Sequence, residues 1–135
     1  ERPQDYAQST RSRLLAGAFV SAGDLVQAHR LRRQLLEDVE RAFETCDVLL
    51  TANSMQPACR IDDPTEIART YTRQARTPFN VTGHPAIVLM AGLSQGLPLS
   101  VQFAARYFDE AMLFRVAAAF ERVSGYASCH PPELS

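Results

Sequence analysis

The sequence predicts an α/β fold in which a mixed sheet lies between helix layers, and three observations indicate this class. Two short runs, residues 46–51 and 86–91, are almost continuously apolar, which is typical of strands covered on both faces. Amphipathic helical patterns stand on either side of these runs. Only three strands are predicted, and three doubly covered strands cannot complete a layer by themselves. We therefore expect a sheet that is incomplete on its own.

Helical patterns dominate the first third of the chain. Residues 4–18 are predicted to form one helix, weakened near its end by Gly17. A second helix starts at Ser21, which stands three residues before Asp24 as in a capping box. Its apolar residues recur at steps of three and four positions and predict a core-facing stripe formed by Leu25, Ala28, Leu31, Leu35, Val39 and Ala42.

The remaining elements follow from turn signals and alternation. After the strand at residues 46–51, a loop over 52–64 leads to a helix over 65–73, with Thr65 as its predicted cap. Residues 77–86, "TPFNVTGHPA", are predicted to form a tight turn before the strand at 86–91. A hairpin-type loop over 92–96 connects to a period-two strand over 97–103. A last helix begins at Asp109 and stops at Gly125, and the tail after it is predicted to fray.

Composition excludes several classes of function. The 135 residues fit a single domain, with 46% hydrophobic and 21% charged residues. The net charge of -1 gives no electrostatic reason to bind nucleic acid or an anionic membrane.

The segment that opens the chain lacks the apolar core of a signal peptide. An odd count of unpaired cysteines, three, indicates a reducing compartment, so we expect a cytoplasmic protein. The chain also opens without methionine, which suggests a piece of a longer protein.

No complete catalytic or metal-binding motif is recognisable. The sequence has no G-x-S-x-G, Walker-type loop, C-x-x-C or H-E-x-x-H pattern. His29 is expected on a helix surface, His130 beside Cys129 is a weak metal site, and His84 lies in the turn before a buried strand. The acidic pair Asp62 and Asp63 is expected to be solvated. We predict no metal and no cofactor.

Four segments resemble the C-terminal third of the amidase signature family. They are "SAGDLVQAHRLR" (21–32), "DVLLTA" (47–52), "TPFNVTGHPAIVLMAG" (77–92) and "GLPLSVQFAARYFDEAMLFRVAAAFE" (96–121). The residues that fall at the family's matching places are Asn80, Gly83, Pro85, Ala86, Gly96, Leu97, Pro98, Gln102, Asp109 and Glu110. The resemblance covers about residues 13 to 122, and it implies the C-terminal part of a mixed-sheet α/β/α sandwich.

The resemblance also implies an activity: hydrolysis of an amide bond, or transfer of ammonia from an amide. In this family a serine, a second serine in a cis peptide and a lysine perform the reaction, and they lie in an earlier part of the enzyme. All 14 basic residues here are arginine, and no Gly-Ser-Ser-Gly stretch occurs. We therefore expect no catalytic residue in this segment, which is predicted to be inactive alone. Residues expected near the substrate channel are Thr77, Phe79, Asn80, Thr82 and His84.

The sequence departs from the family pattern at three places. Ala52 and Met90 stand where the family usually has proline, which puts the local loop shape in question. Arg73 stands seven residues before Asn80, where glutamine-using tRNA amidotransferase subunits tend to carry an acid. This favours a general amidase acting on a small-molecule amide over an amidotransferase subunit.

Three functions stay open at this point. The chain is the C-terminal portion of an amidase, the ammonia-producing subunit of a tRNA-dependent amidotransferase, or a non-catalytic assembly module derived from an amidase. A chain that folds alone would bury its uncovered faces by forming a homo-oligomer. Asn80 has an alternative role in each case, because its side chain could tie the turn to its own backbone.

Overall fold

A computed structural model of the protein describes residues 2–71 and 74–131. The elements are a 3-10 helix at Pro3–Asp5 and, in chain order, α1 (Gln8–Gly17), α2 (Ala22–Ala42), β1 (Val48–Ala52), α3 (Pro64–Tyr71), α4 (Thr77–Thr82), β2 (Ala86–Ser94), β3 (Leu97–Ala105) and α5 (Glu110–Ser124). The chain divides into two compact units, Glu1–Gln34 and Leu35–Ser135. Across the described ranges, every helix is too short or too polar to cross a membrane.

The first unit is helical and begins differently from the prediction. The single helix expected over residues 4–18 is divided into the 3-10 helix and α1, because Tyr6 takes an extended conformation between them. The capping box is confirmed. The Ser21 hydroxyl accepts from the Asp24 amide at 3.1 Å, and the Asp24 carboxylate accepts from the Ser21 amide at 3.0 Å. The predicted core-facing stripe is wrong at this end of α2, since Leu25 and Leu31 are 54% and 55% exposed.

The second unit contains a three-stranded sheet of order β1-β3-β2 in which both pairs are antiparallel. The α/β class is confirmed, whereas the described strands pair only antiparallel. The predicted loop over 92–96 is too long, because β2 continues to Ser94 and the turn consists of Gln95 and Gly96. Both residues have positive φ, 53° and 79°, as a two-residue turn that matches strand twist requires.

Register explains how the sheet presents two different faces. Phe103 and Ala105 point to one side of β3 and pack with Leu113 of α5. Ala104 points to the other side and packs with Phe43 and Phe79. Residues adjacent in a strand face opposite ways, so this short run serves both cores. Accordingly, residues 102–105 are all buried.

Both ends of α5 form as the sequence predicts, whereas the cap of α3 is a different residue from the predicted one. Asp109 accepts from the Met112 amide, and Gly125 at φ 73° ends α5, as predicted. For α3 the cap is Asp63 and not Thr65, since the Asp63 carboxylate accepts from the amides of Thr65 and Glu66 at 3.1 and 3.0 Å. The predicted end of this helix at Arg73 lies outside the described residues.

Parts of the sheet stay uncovered within the described chain. The strands were expected to be covered on both faces, yet Leu50 is 61% exposed and Val88 is 45% exposed. Such exposure costs hydrophobic free energy that a covering layer would recover. It fits the expectation of a sheet that is incomplete on its own.

Candidate functional site

The segment predicted as a tight turn contains a short helix. α4 spans Thr77–Thr82 with Pro78 in its first turn, where the absent N–H costs nothing. Gly83 ends it at φ 88°, and its amide donates to the Phe79 carbonyl at 2.7 Å. Prolines at both ends and a glycine resemble turn chemistry, which is why the sequence pattern favoured a turn. The same residues start and stop a helix.

This helix sorts the five predicted channel residues into two groups. Thr77 and Asn80 are exposed and lie three positions apart, which places them on one side of the helix. Phe79 and Thr82 are buried, with 6% and 0% of their surface accessible. The Asn80 side chain makes no hydrogen bond to any part of the chain that the structure describes, so the turn is closed by the Gly83 amide instead.

His84 lies behind α4 in a polar cluster enclosed by aromatic rings. Its Nδ1 is 2.8 Å from the Thr82 hydroxyl, and its Nε2 is 3.1 Å from the Glu40 carboxylate. The ring stacks on Tyr107 at a centroid distance of 4.3 Å and lies 5.4 Å from the ring of Phe43. His84 itself is only 5% exposed, so both ring nitrogens find their partners inside the protein.

Glu40, His84 and Thr82 are joined in series and supply an acid, an imidazole and a hydroxyl, the groups of a nucleophilic triad. Their geometry excludes that role. A nucleophile must reach the substrate, and Thr82 has no accessible surface. Its hydroxyl also donates to the Pro78 carbonyl at 3.1 Å. The cluster therefore holds α4 to the end of α2. We call it the His84 cluster, formed by Glu40, Thr82, His84 and Tyr107.

Two residues at the end of β3 complete this support. The Tyr107 hydroxyl donates to the Thr82 carbonyl. The Arg106 guanidinium donates to the carbonyls of Phe43 and Cys46 and to the Asp47 carboxylate, the last two at 3.0 and 3.1 Å. Phe43 and Cys46 follow the end of α2 at Ala42, so Arg106 joins the segment after this helix to the end of β3.

Sequence reasoning found His84 but missed its partners. Glu40 and His84 are 44 residues apart in the chain, and no sequence motif singled out Glu40. No local pattern connects the two. Among the described residues, no three side chains of His, Cys, Asp or Glu are grouped closely enough to hold a metal ion.

Known proteins provide the decisive comparison. The family model described as Amidase matches residues 1–114. This chain belongs to the amidase family. A glutamyl-tRNA(Gln) amidotransferase subunit from Halalkalibacterium halodurans is 31% identical over 137 residues, which covers 96% of this chain and 28% of that protein. The chain thus spans little more than a quarter of that relative.

Solved structures of the family have the same fold. The crystal structure of the corresponding glutamyl-tRNA(Gln) amidotransferase subunit from Thermotoga maritima superposes with a TM-score of 0.69 at 28% identity, covering 88% of this chain and 28% of that one. A 6-aminohexanoate cyclic dimer hydrolase complexed with substrate gives a TM-score of 0.74 at 26% identity, covering 95% and 30%. The predicted family and fold class are therefore confirmed for a fragment of an amidase-type fold.

Proposed function

We propose that residues 1–135 form one segment, the C-terminal portion of an amidase-type domain, in an enzyme that hydrolyses amide bonds. The observation that carries this proposal is the family match over residues 1–114 together with the coverage of about a quarter of full-length relatives. The serine, cis-serine and lysine that the family uses lie upstream of this segment. Its own contribution is structural: it extends the sheet and forms one wall of the substrate channel.

Helix α4 supplies that wall. Thr77 and Asn80 are exposed on one side of it and offer a hydroxyl and an amide to a substrate. Phe79, Thr82 and His84 act from behind, as they fix the helix through the apolar core and the His84 cluster. The channel residues of the sequence prediction thus divide into two that contact substrate and three that position them.

A second function has support of its own. The curated relative from Halalkalibacterium halodurans is an amidotransferase subunit, so an ammonia-producing subunit that works with partner subunits is the alternative. Arg73, which favoured a general amidase, lies outside the described residues. Co-purification of partner subunits with the longer protein would support the alternative. A single active polypeptide would support a general amidase that acts on a small-molecule amide.

The setting of the enzyme is also a proposal. We propose a cytoplasmic enzyme that binds neither membrane nor nucleic acid directly, in line with the near-neutral charge. Leu50 and Val88 are exposed on the sheet. In the longer protein the upstream part would cover them, and a chain on its own would cover them by forming a homo-oligomer.

The channel assignment is tested in the protein extended by its upstream sequence. Asn80→Ala and Thr77→Ala should each lower kcat/KM toward a simple amide by about three- to tenfold, the worth of one neutral hydrogen bond. Glu121→Ala, an exposed change on α5, is the matched control and should leave kcat/KM unchanged. Equal kcat/KM values for all three variants and the parent would remove α4 from the channel.

A further inference from the structure

The Thr82 hydroxyl lies between two hydrogen-bond partners inside the His84 cluster. Its oxygen is 2.8 Å from Nδ1 of His84 and 3.1 Å from the Pro78 carbonyl. A hydroxyl carries one hydrogen, and its oxygen can also accept. Nδ1 of histidine is an acceptor or a donor, depending on whether it is protonated. The direction of the hydrogen bonds at Thr82 therefore depends on the protonation state of His84.

The neutral His84 ring fixes one arrangement. Nε2 lies 3.1 Å from the Glu40 carboxylate, which only accepts when ionised, so Nε2 carries the hydrogen. Nδ1 is then an acceptor, and the Thr82 hydroxyl donates to it. In this state the Pro78 carbonyl does not receive the hydroxyl hydrogen.

A proton taken from water by Nδ1 reverses the arrangement. Both nitrogens of the charged ring donate, Nε2 to Glu40 and Nδ1 to the oxygen of Thr82. The hydroxyl hydrogen stays on that oxygen and turns to the Pro78 carbonyl, four residues earlier in α4. The hydrogen bonds then run outward from the ring, to Glu40 on one side and through Thr82 to Pro78 on the other.

The surroundings of His84 accommodate the charged ring. The carboxylate of Glu40, from α2, supplies a counter-charge, and a buried charge is tolerated when it is paired and hydrogen-bonded. The rings of Tyr107 and Phe43 lie at centroid distances of 4.3 and 5.4 Å, within the range at which aromatic faces attract a cation. The neighbouring cation, Arg106, lies 5.8 Å from the centroid of the same Phe43 ring and has its own ion pair.

The hydrogen bond from Thr82 to Pro78 spans almost the whole of α4. The helix has only six residues, Thr77–Thr82. A threonine hydroxyl that bonds to the carbonyl four residues earlier tends to bend a helix. Thr77 and Asn80 lie on the exposed side of the same short helix. A turn of the hydroxyl toward or away from Pro78 therefore alters the element that presents them.

We propose that Thr82 relays the protonation state of His84 to α4 as a two-position hydrogen-bond switch. With the neutral ring the hydroxyl donates to Nδ1, and with the charged ring it donates to the Pro78 carbonyl. Uptake of a proton by His84 changes the hydrogen bonding of α4, and its loss reverses the change. The relay rests on the contacts of the cluster and does not depend on the proposed amide hydrolysis.

NMR of the full chain, with ¹³C in the backbone carbonyls and ¹⁵N in the histidine rings, tests the relay. In a pH titration the Pro78 carbonyl signal should move with the same midpoint as the ring signals of His84. The neutral ring should carry its hydrogen on Nε2. The Gln8 carbonyl is the internal control, because it accepts from the Ser12 hydroxyl at 3.1 Å with the same four-residue spacing. Its signal should not follow His84.

Three results of this titration would overturn the proposal. The first is a Pro78 signal that stays constant while His84 titrates. The second is a neutral ring whose hydrogen is on Nδ1. The third is a ring that keeps one charge state over the whole pH range in which the protein is folded.

Substitutions show whether the signal passes through the hydroxyl. Thr82→Val should abolish the response of the Pro78 carbonyl while His84 still titrates, and Thr82→Ser, which keeps a hydroxyl, should retain it. His29→Gln removes an exposed histidine of α2 and is the control, with the full response expected. A Pro78 response that survives in Thr82→Val would contradict the relay. The parent titration decides the question if the valine variant does not fold.

Discussion

The carboxylate of Glu40 and the imidazole of His84 lie 3.1 Å apart, although 44 residues separate them in the chain. The contact joins the end of α2 to the segment between α4 and β2. The other ring nitrogen of His84 contacts Thr82 at 2.8 Å. The support of α4 therefore includes two polar contacts of the buried His84 ring beside the apolar contacts of Phe79, and removing one polar contact should have a measurable cost.

Thr82 is the first position to test. Thr82→Val keeps the shape of the side chain and leaves Nδ1 of His84 unpaired in a closed cluster. The free energy of unfolding should fall by about 1–3 kcal/mol, the cost of one unsatisfied buried group. Urea unfolding followed by circular dichroism measures it. Asn80→Ala on the exposed side of the same helix is the control and should change it by less than about 0.5 kcal/mol.

Phe43 should contribute strongly to the stability of the core, although no sequence pattern singled it out. It is 1% exposed and packs with Phe79 and Ala104. Phe43→Ala should lower the free energy of unfolding by about 3–5 kcal/mol because it leaves a cavity. Phe114→Ala, at a side chain that is 67% exposed, should have little effect. Similar losses in the two variants would show that Phe43 is not a core residue.

Gly83 should resist substitution because of its backbone conformation. Its φ of 88° is unfavourable for residues with a Cβ. Gly83→Ala should destabilise the protein by about 1–2 kcal/mol. Gly83→Asn should cost less, since asparagine tolerates the left-handed region better. Thermal unfolding of both variants provides the comparison, and an alanine variant as stable as the parent would refute the left-handed cap.

The pKa of Asp24 should show whether the capping box at the start of α2 is formed. Hydrogen bonds from the Ser21 hydroxyl and the Ser21 amide hold the pKa of Asp24 below its usual value. A lowered folded-state pKa means that the stabilisation is present above the unfolded-state pKa. It is lost as the pH falls through the folded-state pKa. The Asp24 carboxyl signal in a pH titration by NMR measures this, and Ser21→Ala should raise the pKa. An unchanged pKa in that variant would exclude the capping box.

Local signals predicted the parts of the fold that depend on neighbouring residues. Ser21 with Asp24, and Asp109 with Gly125, mark helix ends through contacts within a few positions. The α4 helix was missed because Pro78 and Gly83 serve turns and helix ends alike. Whether this segment forms a turn or a helix depends on the packing of Phe79 against Phe43 and Ala104, which no local pattern shows.

Contacts over long sequence distances explain the rest. No sequence pattern singled out Glu40, because its partner His84 lies 44 residues away in the chain. Leu25 and Leu31 follow the same period as Val39, and periodicity alone cannot tell which part of a stripe has something to pack against. For the same reason Thr77 and Asn80 could be proposed as channel residues but not separated from Phe79 and Thr82 before α4 was known.

The most direct test of the account compares amide hydrolysis by two forms of the protein. One is the 135-residue chain, and the other is the same chain extended by its upstream sequence. A simple aliphatic or aryl amide serves as substrate, and ammonia or amine release is measured. The account predicts no turnover by the chain alone and turnover by the extended protein that is lost when its upstream lysine or nucleophilic serine is replaced. Serine-dependent turnover by the shorter form alone, or an upstream sequence without these groups, would contradict it.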